Sequence, residues 1–224
     1  MDRKNEIKER YKKGSGKYDE LLSTQSWWAR LGCKVVWGFP DTAYAEDLLD
    51  RIPDDFSGKL LDIPVGTGLF TAEKYGRMKK AEIICADYSP DMLALAQNRF
   101  DAAGLKTVRC VRADVGNLPF PDESFDTVLS MNGFHAFPDK EAAYRETYRA
   151  LKPGGCFIGC FYIKGEVPRT DMFIRSIYVP KGYFTPPFHT KSELLKKLGS
   201  MYENPELWTI GGIACFRCKK NLSD

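Results

Sequence analysis

The sequence predicts an α/β fold, a mostly parallel sheet covered by helices, and three observations predict it. From about residue 58, short apolar runs of strand length alternate with segments of helical periodicity. The first run ends in Asp62 and leads into a turn carrying Gly66 and Gly68, followed by a helical pattern. The second run is closed by Asp87, where a carboxylate can take both hydroxyls of a ribose.

The elements follow in order. Residues 1–57 read as a mostly helical lead-in bearing Tyr11, Tyr18, Trp27, Trp28, Trp37 and Phe39, expected to act as an N-terminal lid on a domain spanning 58–224. Five strands are expected at 59–63, 81–86, 107–112, 125–131 and 156–163. Ser89-Pro90-Asp91 supplies an N-cap, a proline at the first helical position and an acid in the first turn. Met92, Leu93, Leu95, Ala96 and Phe100 then form one apolar helix face. Tyr144, Thr147, Tyr148 and Leu151 repeat with helical spacing, and Pro153-Gly154-Gly155 stops that helix before the fifth strand. Thr190 through Glu193 is a capping box that opens a helix carrying Leu194, Leu195 and Leu198. Runs at 207–210 and 213–219, joined by Gly211-Gly212, predict a hairpin and hence an antiparallel last strand.

Residues 164–189 break this rhythm, with Pro168, Pro180, Pro186 and Pro187 among Phe173, Tyr178, Tyr183, Phe184 and Phe188. Such a segment reads as a lid or binding loop rather than a linker. The alternative is an aromatic strip buttressing the outer helices.

Composition bounds the function. With 43% hydrophobic and 28% charged residues and a net charge of +3, the chain is an ordinary globular one, not a disordered or low-complexity protein. No apolar run approaches the roughly 18 residues of a membrane span. The charged N-terminus lacks the apolar stretch of a secretory signal. Seven scattered cysteines, an odd number, fit a reduced, cytoplasmic protein. Residues 1–17 hold seven basic and three acidic side chains, so the remainder carries −1. That segment could track phosphates, but Glu6–Arg10 and Glu9–Lys13 at helical spacing equally make it a solvated amphipathic helix.

The glycine turn narrows the ligand. A dinucleotide fingerprint wants a third glycine where Thr71 stands. Asp62 would repel a pyrophosphate and suit a ligand bearing an ammonium group. S-adenosylmethionine has an ammonium and a sulfonium and no phosphate, so the electrostatics favour it. DIPVGTG (62–68) resembles the first motif of class I S-adenosylmethionine-dependent methyltransferases. ICADYSPDML resembles their second motif, ADVGNLPFPDESFD their third and fourth, and LKPGG the turn before their fifth strand, over about 58–162. The pattern is similar to the small-molecule branch that includes quinone-biosynthesis methyltransferases.

The resemblance implies a Rossmann-like three-layer sandwich with a seven-stranded, mostly parallel sheet, an antiparallel last strand and a helical lid. It implies S-adenosyl-L-methionine as cofactor, S-adenosyl-L-homocysteine as product and a small, partly apolar acceptor. Asp62, Pro64, Gly66 and Gly68 would line the methionine and ribose part, and Asp87 would bind the ribose. Tyr88 and Met92 would flank the adenine, with Asp114 and Val115 at its amino edge. Met131 and Asn132 would face the methionine end, and Tyr18 of the lead-in would close over the cofactor. Trp28, His135, Tyr178 and Tyr183 would meet the acceptor. Pro64 departs from the family pattern: it replaces the motif's first glycine, and a proline offers no N–H.

His135, after the fourth strand, is the candidate acid–base residue; its alternative is a strand-end histidine bonded to backbone. His189 reads as a loop residue before a cap. No metal is expected. Cys215 and Cys218 sit at redox-like spacing but in a strand, where i and i+3 face opposite sides. Cys156 and Cys160 read as small buried apolar residues. An RNA- or protein-modifying methyltransferase using the basic N-terminus, and a non-catalytic S-adenosylmethionine-binding protein, stand as alternatives. A nucleic-acid partner is not expected, and the chain is expected to be a monomer or homodimer.

Overall fold

The computed structural model describes residues 43–222. Within them the order is α1 (Ala43–Leu49), β1 (Lys59–Asp62), α2 (Ala72–Arg77), β2 (Glu82–Asp87), α3 (Pro90–Ala102), β3 (Val108–Arg112) and β4 (Phe125–Met131). Then come α4 (Lys140–Ala150), β5 (Leu151–Tyr162), α5 (Pro168–Phe173), a π-helical turn (Ile174–Tyr178), α6 (Lys191–Gly199), β6 (Glu203–Ile210) and β7 (Ile213–Lys219).

The seven strands form one sheet in the order β3-β2-β1-β4-β5-β7-β6. β1 to β5 pair in parallel, and β7 runs antiparallel to both neighbours, as the Gly211-Gly212 hairpin predicts. The chain starts in the middle of the sheet, works outward to β3 and returns to β4. Sheet order therefore reverses between β1 and β4, and a crevice opens at their carboxyl ends.

Alternate side chains of each strand feed two cores. One face carries Leu60, Ile83, Cys85, Leu129, Ile158, Cys160 and Cys215, covered by Leu48 of α1, Tyr75 of α2 and Phe100 of α3. The other carries Leu61, Ile84, Val128, Phe157, Phe161 and Phe216, covered by Tyr144 of α4 and by Leu194 and Leu198 of α6. Two helical layers thus sandwich the sheet.

Local signals carry into the caps. Ser89 caps α3, its side chain accepting from Met92 N–H, and Asp139 caps α4 in the same way on Ala142. α6 has both halves of its capping box: Thr190 Oγ1 accepts from Glu193 N–H and a Glu193 carboxylate oxygen from Thr190 N–H. Two boundaries differ from expectation: β6 begins at Glu203 rather than at 207, and β5 begins before 156. β5 begins at Leu151, directly after α4, and Pro153-Gly154-Gly155 forms a bulge inside it rather than a loop before it. Gly154 takes φ +74°, and its N–H reaches Lys220 O, which keeps the bulge tied to the end of β7.

Replacing Thr190 with alanine should cost about 1 kcal/mol and lower the Tm by about 2–4 °C, read from a thermal melt followed by circular dichroism.

Candidate functional site

β1 hands over to α2 through a turn stitched to its neighbours. Ile63 N–H donates to Leu129 O and Val65 N–H to Ala86 O, each at 2.9 Å. Gly66 and Gly68 then take φ +57° and +69°, the left-handed region glycine adopts without steric penalty. A Cβ at Gly66 would meet nothing within 4 Å, so conformation alone requires glycine there. At Gly68 it would also strike the Phe100 ring at 2.8 Å. Gly68 thus brings the start of α2 down onto α3.

Two carboxylates frame this turn. Asp87 at the end of β2 accepts Gly66 N–H at 3.0 Å through Oδ2 and Ser89 N–H at 2.9 Å through Oδ1. One side chain therefore ties the first glycine turn to the start of α3. Burial lifts its pKa to about 6 in spite of these bonds, which pull the other way. Asp62 is buried more completely. Its Oδ2 accepts the Tyr75 hydroxyl at 2.8 Å, while Oδ1 has no hydrogen-bond partner among the described residues. Burial raises its pKa to about 7, the Tyr75 and Thr71 hydroxyls beside it lower it, and the charge of Asp87 raises it further. Thr71 Oγ1, beside Asp62, is likewise buried and makes no well-formed hydrogen bond among the described residues. Buried polar groups are nearly always satisfied, so this pair marks where a cationic hydrogen-bond donor would be held.

The opposite wall comes from the segment after β4. Asn132 N–H donates to Cys160 O at 2.7 Å. Asn132 then turns left-handed, φ +56°, an uncommon state for a residue with a side chain. Its Nδ2 donates to Tyr44 Oη of α1 at 3.0 Å, and the Tyr44 ring meets Phe70 with centroids 6.2 Å apart. Tyr44 thereby braces two walls of the crevice. Gly133 follows, and an added Cβ would lie 2.4 Å from Pro64 Cδ. The unusual Pro64 is accommodated because its ring fills the space a side chain at 133 would need.

These elements enclose a cavity of about 170 Å³. Asp62, Pro64, Gly66, Asp87, Tyr88, Met92, Asp114, Val115, Met131 and Asn132, ten of the residues singled out in the sequence, line it. Phe70, Gly133, Ala136, Phe137 and Pro138 also line it and were not expected as site residues, and Thr71, noted in the sequence only for the missing glycine, lines it too. The short run Gly133–Pro138 carries no helical or strand period, so no pattern could point to it.

Four of the singled-out residues lie elsewhere, and His135 is a correction. It is buried, absent from the lining, and stacked on Phe184 with centroids 3.9 Å apart. Its Nδ1 accepts the Tyr162 N–H at 3.2 Å. Ile163 N–H donates to Gly212 on the β7 side, so Tyr162 N–H faces the other way, where β4 has already ended. The imidazole replaces the missing strand as acceptor, which requires it to be neutral. Burial, aided by the Lys140 charge, pushes its pKa down to about 3. Tyr178 and Tyr183 pack on each other and Tyr178 on Phe184, outside the lining, and Gly68 sits behind it. Tyr18 and Trp28 lie outside the described residues, as does the basic segment 1–17.

Residues 60–155 match the family model of a methyltransferase domain. Over 97 residues the chain is 44% identical to demethylmenaquinone methyltransferase of Thermus thermophilus, a match covering 43% of this chain and 44% of that protein. It is 40% identical over 149 residues to the ubiquinone/menaquinone biosynthesis C-methyltransferase UbiE of Pasteurella multocida, covering 63% of this chain and 49% of that one. The chain spans about half the length of these curated relatives. A solved Thermotoga maritima S-adenosylmethionine-dependent methyltransferase superposes with a TM-score of 0.71 at 19% identity, covering 96% of this chain and all of that one. At that identity the likeness is one of fold.

The contact between Gly133 and Pro64 generates a double-mutant test. Gly133→Ala should destabilise the protein by about 1–3 kcal/mol through overpacking. Adding Pro64→Gly should recover at least half of that loss, measured as coupling in urea denaturation.

Proposed function

We propose, on the premise that the chain belongs to the class I S-adenosylmethionine-dependent methyltransferases, that it methylates a small, partly apolar acceptor. The observation that carries the cofactor half of this reading is the buried Asp62 Oδ1, unpartnered among the described residues at the cavity wall beside the glycine turn. S-adenosylmethionine, when bound, supplies a methyl group on a sulfonium for in-line displacement.

The chain's own residues have distinct tasks in this reading. Asp62 takes the ammonium, a charge the carboxylate is placed to receive. Asp87 already holds the turn and the start of α3, and its remaining acceptor capacity faces the ribose. Asp114, held by Gly116 N–H at 2.9 Å, stands beside Val115 at the adenine end. Phe70, Ala136, Phe137 and Pro138 line the cavity with apolar surface that excludes water and favours a partly apolar acceptor. Positioning of this kind can remove about 7–11 kcal/mol of barrier in well-oriented systems. With His135 committed to Tyr162 N–H, its part is to hold the Gly133–Pro138 wall in place rather than to move a proton. The names of the sequence relatives favour a quinone-type ring as acceptor and carbon as the methylated atom.

The direct test incubates the protein with methyl-labelled S-adenosylmethionine and a reduced naphthoquinone lacking its ring methyl. Label in the ring is expected; no product alongside normal S-adenosylhomocysteine binding would make the chain a binder without transfer. Asp87→Ala should weaken S-adenosylhomocysteine at least tenfold by calorimetry, since charge-assisted hydrogen bonds contribute about 1.5–3 kcal/mol each. The affinity should also depend on pH. The free protein holds protons on Asp62 and Asp87 below about 7 and about 6, while the ammonium requires the Asp62 carboxylate. Affinity should therefore fall as pH drops through that window, with roughly one proton released per ligand bound near pH 6.5. Without ligand the sign reverses. The native state binds more protons than the unfolded chain, so these groups make folding less favourable as pH rises from the ordinary carboxylate range to about 7.

A further inference from the structure

The start of α2 brings two hydroxyls to one carboxylate. Thr71 stands at the N-cap and Tyr75 four residues on, its N–H donating to Thr71 O at 2.9 Å, so both side chains share one face of the helix. Tyr75 is buried, and its ring meets Phe100 of α3 with centroids 6.1 Å apart. The hydroxyl at the far end of that ring donates to Asp62 Oδ2 at 2.8 Å. Asp62 and Thr71 line the cavity and Tyr75 does not. The bond therefore holds Oδ2 on the core side of the carboxyl group. It leaves Oδ1, buried and without a hydrogen-bond partner among the described residues, for the cavity.

The terminal torsion of an aspartate is broad, so a carboxylate without a partner meets a ligand in many orientations. The Tyr75 hydroxyl removes that freedom before a ligand arrives, and preorganisation of this kind appears as affinity. It also bears on charge, because a hydroxyl donor favours the ionised carboxylate over the protonated one. The titratable groups facing Asp62 are Tyr75 of α2, Cys85 and Asp87 of β2, and Cys110 in the same sheet row on β3. None of them is a cation. Burial pushes both thiols up, so they stay neutral, and the charge of Asp87 opposes ionisation of Asp62. Of these side chains Tyr75, with the Thr71 hydroxyl beside it, helps the carboxylate to carry its charge.

We propose that Tyr75 is a positioning residue: its hydroxyl orients the Asp62 carboxylate toward the cavity, and through it the protein selects nucleosides that carry an ammonium group over those that lack one. This role rests on the cofactor reading above, yet Tyr75 does not line the cavity and acts only through Asp62. A hydroxyl that merely stabilised the fold would leave the preference between two ligands unchanged.

The test is calorimetry on the full chain with S-adenosylhomocysteine and with 5′-methylthioadenosine, which keeps the adenosine and the thioether and lacks the amino-acid arm. Tyr75→Phe removes the hydroxyl and keeps the ring on Phe100. At about pH 7.5 it should weaken S-adenosylhomocysteine about tenfold and 5′-methylthioadenosine less than about twofold, the loss expected of one hydrogen bond to a charged group. The pH at which S-adenosylhomocysteine affinity falls to half its upper plateau should also rise by about one unit, because the ionised carboxylate has lost a donor. Placing 3-fluorotyrosine at position 75, a stronger donor of nearly the same shape, should move that midpoint down. Asp62→Asn should lose the same preference for S-adenosylhomocysteine, and Tyr75→Phe added to it should cost little more. Equal weakening of both ligands by Tyr75→Phe would overturn the positioning role. So would an unmoved pH midpoint, or a further tenfold loss in the Asp62→Asn background. A wild-type protein that binds neither nucleoside would refute the cofactor reading, and the role of Tyr75 with it.

Discussion

Beyond Met131 the fourth strand stops pairing, and the backbone groups of β1 and β5 that faced it must be satisfied by something other than a strand. The functional end of the molecule is built from the answers. Ile63 N–H takes Leu129 O and Asn132 N–H takes Cys160 O, which carries the ladder one residue past the strand ends. Tyr162 N–H, one step further, is received by the His135 imidazole. An unsatisfied buried amide costs about 1–3 kcal/mol, so a neutral imidazole at this place steadies the whole Gly133–Pro138 wall. Thr185 then bonds to the backbone of His135 and Ala136, and the insertion inherits its position from the same arrangement.

On the other side of the crevice the constraint is electrostatic. Two carboxylates, Asp62 and Asp87, sit close enough for the charge of one to disfavour ionisation of the other, and both are buried. Asp87 answers with backbone N–H donors from the two segments it joins. Among the described residues Asp62 accepts the Tyr75 hydroxyl through one oxygen and has Thr71 beside it, with no well-formed hydrogen bond to the other oxygen. That arrangement is unfavourable in isolation and would become favourable beside a cation, which is what the proposed cofactor role asks of it and what separates it from a structural ion pair. The Lys74–Asp54 and Lys152–Asp126 pairs show the structural version, each carboxyl held below its usual range with a lysine beside it.

Pro64 shows how a departure from a motif can be absorbed. A proline at the first position of the glycine turn loses a donor and adds a ring. Gly133, across the crevice, leaves the volume that the ring occupies. The two positions lie far apart in sequence, and neither alone explains the other.

Much of this protein was legible in one dimension. The alternation of apolar runs and helical faces determined the seven strands, and local chemistry determined the Ser89 and Thr190 caps and the Gly211-Gly212 hairpin, because propensity and capping act over a few residues. The left-handed turn at Gly66 and the acids at Asp62 and Asp87 were legible for the same reason: strand ends and tight turns leave local signatures. The tertiary structure alone decided the start of β5 at Leu151, since the Pro153-Gly154-Gly155 bulge is held by β7 from the far end of the chain. It alone moved His135 from the cavity to the end of β5, joined Tyr44 to Asn132 and set Gly133 against Pro64. Those are contacts between remote segments. Their energy depends on where the sheet stops pairing, a property of the assembled strands that no stretch of sequence carries by itself.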